Sequence, residues 1–589
     1  MANDDRDKLF GDKKMAFKDI LRHSFPYIKK QWLSILLALI LLLANVVVSI
    51  ALPMLASRFV GVLKDETGNV ALSAALGFVW GYLALGLTGQ VLVYVQSIIL
   101  QNAGQKVVYD LRMEVFAHIE NMSQNQFNQM PVGSLVTRVC NYTAAVSDLF
   151  TGVLVRLLSN VGMVIGVLII MMAISIRLSL YLLLFALVAG VTSFIFGRIV
   201  GKIFRQERGY VSDLNTFLSE NLSGMRITQI FNRERKKLAE FDIKNNNIRK
   251  AAYRVVIAFA LYRPFINLLY FGSIGTTFYV GLTLQLTAAE IVAFYLYLSR
   301  FFNPIQAIAD QLNQISRALT AAERLYSLLD VPPDIIDKEG AIEVDHFEGK
   351  IEFDHVWFAY EDENWILKDV SFTVEPRTTV AFVGATGAGK TTILSLLVRN
   401  YEPQKGSIRI DGIDIRDIKI DSLRKNIGQM LQDVTLFSGT IRENLTLHDE
   451  SFTEEEIRAA SEYVGANVFI DRLPKQYDEE VIQRGENFSS GQRQLLSFAR
   501  AILHKPEVLI LDEATANIDA ESELLIQDSL ERIRSIGTML VVAHRLSTIQ
   551  HADQIIVLQL GEIIEKGTHQ ELLRQKGMYY KLYQLQFNE

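Results

Sequence analysis

An eight-residue glycine-rich segment in the second half of the chain has the residue types of a phosphate-binding loop. It fits the pattern G-x-x-x-x-G-K-[ST] and consists of Gly384, Ala385, Thr386, Gly387, Ala388, Gly389, Lys390 and Thr391. Glycines let the backbone pass close to a polyphosphate, so that several N–H groups can point at it. The lysine adds a positive charge at the β- and γ-phosphates, and the Thr391 hydroxyl is suited to ligate Mg²⁺. The segment therefore predicts a site for a nucleoside triphosphate.

The sequence on both sides of this loop predicts the elements that must position it. The apolar run 378–383 is typical of a buried strand, and the run that starts at Thr392 is typical of a helix. A second apolar run begins at Val508 and ends at Asp512 and Glu513. A carboxylate at the end of a buried strand can hold the metal ion or its waters. Strand, loop and helix in this order make a chance glycine-rich turn a poor explanation, so we expect ATP and Mg²⁺ as ligands.

The first half of the chain has the composition of a membrane domain. Hydrophobic residues make up 50% of the whole chain, and their excess lies almost entirely before residue 310. Six stretches approach or exceed the ~20 apolar residues that a bilayer-spanning helix needs. A soluble core helix could explain one of them, but six in sequence predict a membrane domain at residues 1–325. The predicted spans are approximately 32–56, 70–100, 149–174, 178–200, 255–282 and 288–307.

The distribution of lysine and arginine predicts an orientation. The N-terminal arm and the connection 201–254 are rich in both residues. The loops on the opposite side contain only Arg58, Lys64 and Arg177. The positive-inside rule therefore places both termini in the cytoplasm. The first span is too long for the core of a signal peptide, so we expect no cleavable targeting segment. The single Cys140 excludes an intramolecular disulfide.

The second half predicts a different fold. Paired prolines follow Val331, and we interpret residues 326–349 as a charged linker. From Ile351 onwards, short apolar strands alternate with helices, which is typical of an α/β nucleotide-binding domain. We therefore predict a polytopic α-helical membrane domain followed by a C-terminal α/β domain at residues 350–589.

The segment Asn487-Phe488-Ser489-Ser490-Gly491-Gln492 resembles the L-S-G-G-Q signature of ATP-binding cassette (ABC) proteins. Six spans followed by one cassette are the layout of an ABC exporter half-transporter, so the resemblance covers the whole chain. It implies six transmembrane helices with long cytoplasmic extensions that are swapped between two subunits, followed by a P-loop cassette. It also implies that two cassettes close head to tail. The signature residues Ser489, Ser490, Gly491 and Gln492 would then act on ATP held by the other chain.

Further positions match family motifs, and the resemblance implies a role for each. Tyr360 would stack on adenine, for which a flat π-face suffices, although an ordinary strand aromatic is the alternative. Glu513 would be the general base that orients the attacking water, and His544 the switch histidine at the γ-phosphate. The remaining matches are Thr392 at the ATP, Gln432 at Mg²⁺ together with Thr391 and Asp512, and Asp519 in the loop that crosses the cassette dimer.

Coupling between the two domains is expected in the long cytoplasmic loops. The stretches 141–148 and 220–229 match the short coupling helices of the family. The second is the closer match, since Tyr142 stands where the family often has aspartate. The residues predicted to couple the domains are Asn141, Tyr142, Glu220, Gly224 and Arg226.

The transported compound is inferred from the last two spans, which contain many aromatic residues. Such side chains suit flat or apolar ligands, although most of them could face lipid or pack between helices. Charged residues are costly in a membrane and are therefore expected to line a cavity. We predict a cavity formed by Tyr262, Arg263, Phe265, Glu290 and Arg300. We expect hydrophobic or amphipathic compounds and membrane lipid as ligands, and no nucleic acid. A lipid flippase is the nearest alternative, followed by an ATP-gated channel or regulatory protein.

Several departures from the family pattern concern the signature region. Phe488 replaces leucine, Ser490 replaces the first glycine, and Gln483 stands where exporters commonly have glutamate. These changes cluster on the surface that would serve the partner's ATP, whereas the phosphate loop, Asp512 and Glu513 are intact. This division resembles bacterial heterodimeric multidrug exporters of the plasma membrane, in which one of the two ATP sites is impaired. We therefore expect a different half-transporter with an impaired Walker B motif as partner, with a homodimer as the alternative.

Overall fold

The computed structural model describes residues 15–62, 72–361, 363–431, 434–512, 520–542 and 549–587. The chain divides into two compact units. The membrane unit comprises Met1–Glu120 and Met130–Val331, and the nucleotide unit comprises Asn121–Gln129 and Pro332–Glu589. The nucleotide unit therefore includes a short segment from the first half of the sequence.

The membrane unit is built from long helices. They are α1 (Phe17–Lys30), α2 (Trp32–Val62), α3 (Leu72–Glu120), α5 (Val132–Thr137), α6 (Thr143–Asp148), α7 (Leu154–Ile174), α8 (Ile176–Ser223), α9 (Met225–Ile230), α10 (Glu234–Thr283) and α11 (Ala288–Leu329), while α4 (Gln124–Asn128) belongs to the nucleotide unit. Two π-helical segments, Arg138–Tyr142 and Leu149–Val153, join α5, α6 and α7 into one continuous helical stretch. Within the described residues, five stretches are long and apolar enough to cross a membrane: Trp32–Val60, Leu76–Glu120, Val132–Ile174, Ile176–Ser223 and Glu234–Thr283. The sixth predicted span, 288–307, lies within α11 and is not among these five.

The core of the membrane unit lies where α7, α8 and α11 meet. Met171, Leu182 and Phe294 belong to one buried cluster there. The Tyr297 hydroxyl, which is also buried, donates a hydrogen bond to the Ile50 carbonyl of α2 at 2.7 Å. A polar group in a lipid environment needs such a partner, because no water is present to satisfy it.

The first predicted coupling stretch, 141–148, lies inside the continuous helix formed by α5, α6 and α7. Asn141 and Tyr142 lie in a π-helical segment inside the continuous helix, and the Arg324 Nη1 group donates to the Tyr142 hydroxyl at 3.2 Å. The short helix that follows α3 is α4, which begins after the N-cap residue Ser123. Its position has a local cause: Ser123 and Gln126 form a reciprocal capping box, with N···O distances of 3.1 and 3.3 Å. The predicted stretch 141–148 contains α6 but is part of a longer continuous helix, and a coupling role of Asn141 and Tyr142 stays a prediction.

The nucleotide unit contains a mixed six-stranded sheet, a four-stranded sheet and a two-stranded ribbon. The strands are β1 (Ile351–Ala359), β2 (Trp365–Val374), β3 (Thr379–Val383), β4 (Lys405–Ile410), β5 (Ile413–Asp414), β6 (Ile427–Met430), β7 (Gly439–Thr440), β8 (Glu480–Val481), β9 (Val508–Asp512), β10 (Thr538–Val542), β11 (Gln554–Gln559) and β12 (Glu562–Gly567). The six-stranded sheet has the order β12-β11-β3-β10-β9-β6, and the four-stranded sheet has the order β2-β1-β4-β5. All neighbours in the larger sheet are parallel except β11 and β12.

Helices accompany these strands along the chain. They are α12 (Lys390–Leu397), α13 (Ile420–Lys425), α14 (Ile441–Thr446), α15 (Glu454–Tyr463), α16 (Asn467–Ile470), α17 (Ser490–Leu503), α18 (Ala520–Ile533), α19 (His569–Gln575) and α20 (Met578–Phe587). Alternate residues of the central strands belong to two different buried clusters. Val541 and Leu511 lie in one cluster, and Leu540 and Ile510 lie in the other. Since successive strand residues point to opposite faces, the sheet is buried on both sides, as expected for parallel strands.

Arg399 is a buried charge that holds three segments of this unit together. Its side chain is 1% exposed and donates to the carbonyls of Ile418 and Ile336, both at 3.1 Å. It also donates to the Glu402 carboxylate at 2.9 Å.

We expect Arg399→Met to destabilise the nucleotide unit by about 2 kcal/mol or more, because buried acceptors lose their donors. Differential scanning calorimetry of the full chain should show a lower melting temperature. Arg409→Met is the matched control, because the Arg409 side chain is 44% exposed and lies 3.9 Å from Asp354. Equal shifts for the two variants would contradict this role of Arg399.

Candidate ATP site

Three neighbouring strands bring the predicted ATP-binding residues to one edge of the six-stranded sheet. Val542 at the end of β10 pairs with Phe382 on one side and with Asp512 on the other. The phosphate loop, which follows Val383, and the Asp512 carboxylate therefore start from the same edge. Glu513 and His544, the residues predicted to act in hydrolysis, follow β9 and β10 along the chain but lie outside the described residues, as do Gln432 and Asp519.

Lys390 is fixed inside the phosphate loop. Its side chain is buried, and its Nζ donates to the carbonyls of Gly384 at 2.8 Å and Ala385 at 3.0 Å. Burial lowers the pKa of this lysine, while the negative charge of Asp512 acts in the opposite direction. A buried ammonium group whose positive charge is only partly balanced by a nearby negative charge is stabilised when an anion binds. The loop is therefore suited to receive a polyphosphate.

Gly389 is required by the geometry of the loop. It has φ +99°, and a Cβ at this position would lie 2.6 Å from Cδ2 of Leu367. Because it precedes α12, the first N–H groups of that helix open towards the loop, where a helix N-terminus favours an anion. Thr391, in the first turn of this helix, is exposed, whereas Thr392 is buried.

Tyr360 lies beside this helix at the end of β1. Its hydroxyl lies 3.0 Å from the Thr392 hydroxyl. The Tyr360 ring makes edge contacts with Phe358 and Tyr401, with centroid distances of 4.9 and 5.0 Å. The residue is nevertheless 41% exposed, which leaves ring surface on which a planar base can stack.

The oxygen donors at the loop fit the magnesium ion that the family uses with ATP. Thr391 offers an exposed hydroxyl, and Asp512 offers a half-buried carboxylate. The described part of the chain contains no group of three or more histidine, cysteine, aspartate or glutamate residues that could hold a metal. This donor set suits Mg²⁺, which usually binds one or two protein oxygens together with phosphates and waters. Thr391 and Asp512 would hold the ion, which neutralises charge on the phosphates when bound.

The signature segment forms the start of α17. Ser489 is the N-cap, and its Oγ accepts a hydrogen bond from the Gln492 N–H at 3.2 Å. Oε1 of Gln492 accepts from the Ser489 N–H at 3.0 Å, which completes a capping box. Ser490 and Gly491 therefore occupy the first turn of a 14-residue helix, whose N-terminal end attracts anions.

Phe488 and Gln483, two of the departures from the family pattern, lie in different surroundings. Phe488 is 5% exposed and packs in the core, 6.2 Å from the Phe469 ring. The replacement of leucine by phenylalanine therefore changes a core side chain. Ser490 is the departure from the family pattern that lies at the helix N-terminus. Gln483 is exposed, in a loop held by Arg493, whose Nη1 donates to the Phe488 carbonyl at 2.7 Å.

The predicted second coupling stretch forms a short exposed helix. Gly224 ends α8, and its N–H donates to the Glu220 carbonyl at 2.9 Å. The side chains of Glu220 and Arg226 are exposed. In α9 and directly after it, four apolar side chains are exposed as well: Met225, Ile227, Ile230 and Phe231.

The sequence analysis missed the contacts of α4 within the nucleotide unit. Nε2 of Gln126 donates to the Pro332 carbonyl at 2.8 Å and to the Asp334 carboxylate at 3.0 Å. Nδ2 of Asn128 donates to the Tyr401 hydroxyl at 3.2 Å, and the Tyr401 ring contacts Tyr360. The local signal was the S-x-x-Q spacing of Ser123 and Gln126, which predicts a helix start.

The residues predicted to form a substrate cavity separate into two groups. The Tyr262 ring stacks on Phe196 at 3.8 Å, Arg263 lies 5.5 Å from the Phe259 ring centroid, and Phe265 is 40% exposed. By contrast, Glu290 caps α11 by accepting from the Thr287 N–H at 2.7 Å.

Arg300 also has a structural partner, because it donates to the Ser49 carbonyl of α2. These contacts account for Glu290 and Arg300 without a substrate. A substrate contact of Glu290 and Arg300 stays a prediction.

Comparisons with known proteins agree with this arrangement. The ABC transporter transmembrane region matches residues 35–305, and the ABC transporter family matches residues 367–516. The Bacillus subtilis protein YheH, named as a multidrug resistance ABC transporter ATP-binding/permease protein, is 38% identical over 84% of this chain and 74% of its own length. An ATP-dependent lipid A-core flippase of Syntrophus aciditrophicus is 34% identical over 84% of this chain and 83% of its own length.

A solved structure resembles the whole chain. The structure of a bacterial Atm1-family ABC exporter with ATP bound has a TM-score of 0.79 and 26% sequence identity. The match covers 95% of this chain and 98% of that chain. The predicted fold class, a helical transmembrane domain followed by an α/β nucleotide-binding domain, is confirmed. Because both regions are matched in one polypeptide with a phosphate loop, the chain belongs to the ABC transporter family and is an exporter protein whose cassette couples ATP hydrolysis to transport.

Proposed function

We propose that this chain is one half of an exporter of hydrophobic and amphipathic compounds, and that it works with a second, different half-transporter. The observation that carries this proposal is the contrast between the two parts of its ATP-binding surface. The phosphate loop around the buried Lys390 is complete, whereas Ser490 replaces glycine in the first turn of α17.

The need for a partner is supported by the exposed surface of α9. Met225, Ile227, Ile230 and Phe231 are between 45% and 69% exposed, although they lie in a segment predicted to be cytoplasmic. Contiguous exposed apolar side chains outside a membrane mark an interaction surface. In a swapped dimer of this family, the partner's cassette would cover them. We propose that Glu220, Gly224 and Arg226 take part in this contact, together with α4 at the other cytoplasmic loop.

The competent site would combine this chain's phosphate loop, Asp512, Glu513 and His544 with the partner's signature. The impaired site would combine the partner's phosphate loop with Ser489 and Ser490 of this chain. A side chain at Ser490 narrows the space in which backbone N–H groups approach a phosphate. A homodimer in which Ser490 is neutral is the alternative arrangement.

Ser490→Gly separates the two arrangements. In the heterodimer, Ser490→Gly should change the ATPase rate only modestly, because it restores the signature of a site whose Walker B motif still lacks the general base. The change should be far smaller than the roughly 10²-fold effect of losing a positioned catalytic group. In a homodimer it would act at both hydrolytic centres. The test is the drug-stimulated ATPase rate in lipid, measured with this chain alone and with the half-transporter encoded beside it. Full activity of this chain alone would overturn the heterodimer.

The class of compound rests on the aromatic side chains between α8 and α10. Phe196, Phe259 and Tyr262 form a continuous set of ring contacts, which offers a planar surface to a flat ligand. A multidrug substrate range fits this surface and the name of the relative YheH. Lipid translocation is the second candidate, favoured by the relative named as a lipid A-core flippase. ATP-dependent uptake of a fluorescent dye into inside-out vesicles, compared with translocation of a labelled phospholipid, distinguishes them.

The proposed location of the protein in the cell follows from its proposed function as an exporter. The basic connection between the fourth and fifth predicted spans supports a cytoplasmic position for the cassette and both termini. The membrane would be the bacterial plasma membrane, from whose inner side the cassette draws ATP.

A further inference from the structure

We infer that α8, α10 and α11 form a binding site for an amphipathic anion at the cytoplasmic ends of the predicted spans. This inference rests on the proposed export function and narrows its substrate class. The site is a cavity of about 530 Å³, within the range of roughly 300–1,000 Å³ that small-molecule sites occupy. Its principal lining side chains are Phe204, Arg205 and Arg208 of α8, Phe259 of α10, and Gln314 and Arg317 of α11. We call it the arginine cavity.

Three guanidinium groups from two helices converge on this cavity. Arg205, Arg208 and Arg317 are exposed, and among the described residues none of them has a carboxylate within ion-pair distance. Elsewhere in the chain, arginines such as Arg416 and Arg442 pair with carboxylates. Unpaired guanidinium groups on neighbouring helices repel each other, and an anion removes this repulsion. Guanidinium also matches carboxylate, phosphate and sulfonate geometry.

The cavity continues into an apolar surface. Phe259 lines it and contacts Phe196 edge-on, with ring centroids 5.1 Å apart. Phe196 in turn stacks on Tyr262 at 3.8 Å, and the Tyr262 hydroxyl is hydrogen-bonded to Ser193 at 2.7 Å. The three arginines of the cavity thus lie at one end of a row of aromatic rings, and Arg263 lies beside the Phe259 ring of this row. A ligand with an anionic group and a flat or aliphatic apolar portion can contact both ends at once.

The position of the cavity along the helices agrees with this ligand chemistry. Arg205 and Arg208 follow the fourth predicted span, which ends near Val200, and Phe259 lies near the start of the fifth. The anionic group would therefore remain at the aqueous boundary while the apolar portion extends towards the membrane. Anionic lipid head groups share this chemistry, because basic pockets on the cytoplasmic side of membrane helices attract them. The ligand is thus an amphipathic anion, from solution or from the bilayer.

Two probes with the same ring skeleton test the role of the charge. 1-Anilinonaphthalene-8-sulfonate carries a sulfonate, and N-phenyl-1-naphthylamine is its uncharged parent. Both would be titrated by fluorescence against the full transporter in phosphatidylcholine discs, with empty discs subtracted. In the triple variant Arg205→Gln, Arg208→Gln and Arg317→Gln, we expect at least tenfold weaker binding of the sulfonate, about 1.4 kcal/mol. Binding of the neutral probe should change by less than about twofold, since it makes no charge-assisted contact.

The control removes the same amount of charge from positions in α8 and α10 that lie outside the cavity. Lys202→Gln, Arg235→Gln and Lys250→Gln replace three exposed basic residues that do not line the cavity. This variant should bind both probes like the wild type, and its melting temperature and that of the test variant should match the wild type. Unchanged sulfonate binding in the test variant, or equal weakening by the control, would overturn the anion site. Equal weakening of both probes in the test variant would also overturn it.

A second experiment distinguishes an anionic lipid head group from a soluble anion as the ligand. If phosphatidylglycerol in the discs competes with the sulfonate in the wild type but not in the test variant, the site binds a lipid head group. If phosphatidylglycerol has no effect while sulfonate binding still depends on the three arginines, the site is supported as one for soluble amphipathic anions. Export itself is measured separately, as ATP-dependent uptake of each of the two probes into inside-out vesicles. If the wild type took up neither probe, the proposed function would be overturned, but not the arginine cavity.

Discussion

Lys390→Ala is expected to weaken ATP binding by about 10- to 100-fold. Nζ of Lys390 is held beside the loop carbonyls of Gly384 and Ala385, where it can transfer its hydrogen bonds to phosphate oxygens. A hydrogen bond to a charged group contributes about 1.5–3 kcal/mol, which corresponds to this change in affinity. Hydrolysis should fall further, because the same charge stabilises the transferring phosphoryl group. An equilibrium titration of the purified complex with ATP measures the first effect directly.

The control for this variant is Lys419→Ala. Lys419 belongs to the same unit, but it is exposed and pairs with Glu343 at 2.9 Å. Its removal should leave the dissociation constant for ATP unchanged. If Lys390→Ala also left it unchanged, the loop would not be the phosphate site.

Glu513→Gln is expected to retain ATP binding and to lower turnover by ~10²-fold or more, which is the scale for a lost general base. Glutamine keeps the shape of the side chain but cannot accept the proton of the attacking water. Asp512, the residue before Glu513, ends β9 at the same edge of the sheet from which the phosphate loop starts, and the substitution leaves both unchanged. ATP should therefore remain trapped on the variant.

Turnover and nucleotide retention are measured together on this variant. Glu531→Gln is the control, because Glu531 is an exposed residue of α18 in the same unit. In the proposed heterodimer, Glu513→Gln in this chain alone should nearly abolish hydrolysis, although the partner's cassette is untouched. Near wild-type turnover would remove Glu513 from the mechanism.

The strand, turn and helix around the phosphate loop could be predicted from the sequence because each requirement is local. A phosphate loop needs a strand, a glycine-rich turn and a helix in direct succession, and Val383 and Lys390 mark these borders in the structure. The capping box of Ser489 and Gln492 is local as well, since both residues belong to one helical turn. Membrane helices are predictable for a similar reason, because a single apolar stretch satisfies its own backbone.

The features that the sequence could not predict depend on contacts between distant residues. Phe488 departs from the family motif, but its packing against Phe469 identifies it as a core residue. Arg300 suggested a substrate cavity because a charge in a membrane is costly, yet its partner is the Ser49 carbonyl on another helix. Only the fold brings such partners together, so composition and spacing could not distinguish a structural role from a functional one.

The position of α4 has a consequence for the order in which the protein assembles. Residues 121–129 belong to the nucleotide unit, but the remainder of that unit begins at Pro332. Since a chain is synthesised from its N-terminus at about 5–20 residues per second, α4 leaves the ribosome on the order of ten seconds or more before Pro332 and Asp334. Gln126 can form its capping box with Ser123 early, but Nε2 of Gln126 cannot donate to Pro332 and Asp334 until the whole membrane unit has been made. The nucleotide unit thus incorporates a segment that is synthesised long before the rest of it, so α4 reaches its native contacts only after residues 332–334 have been made.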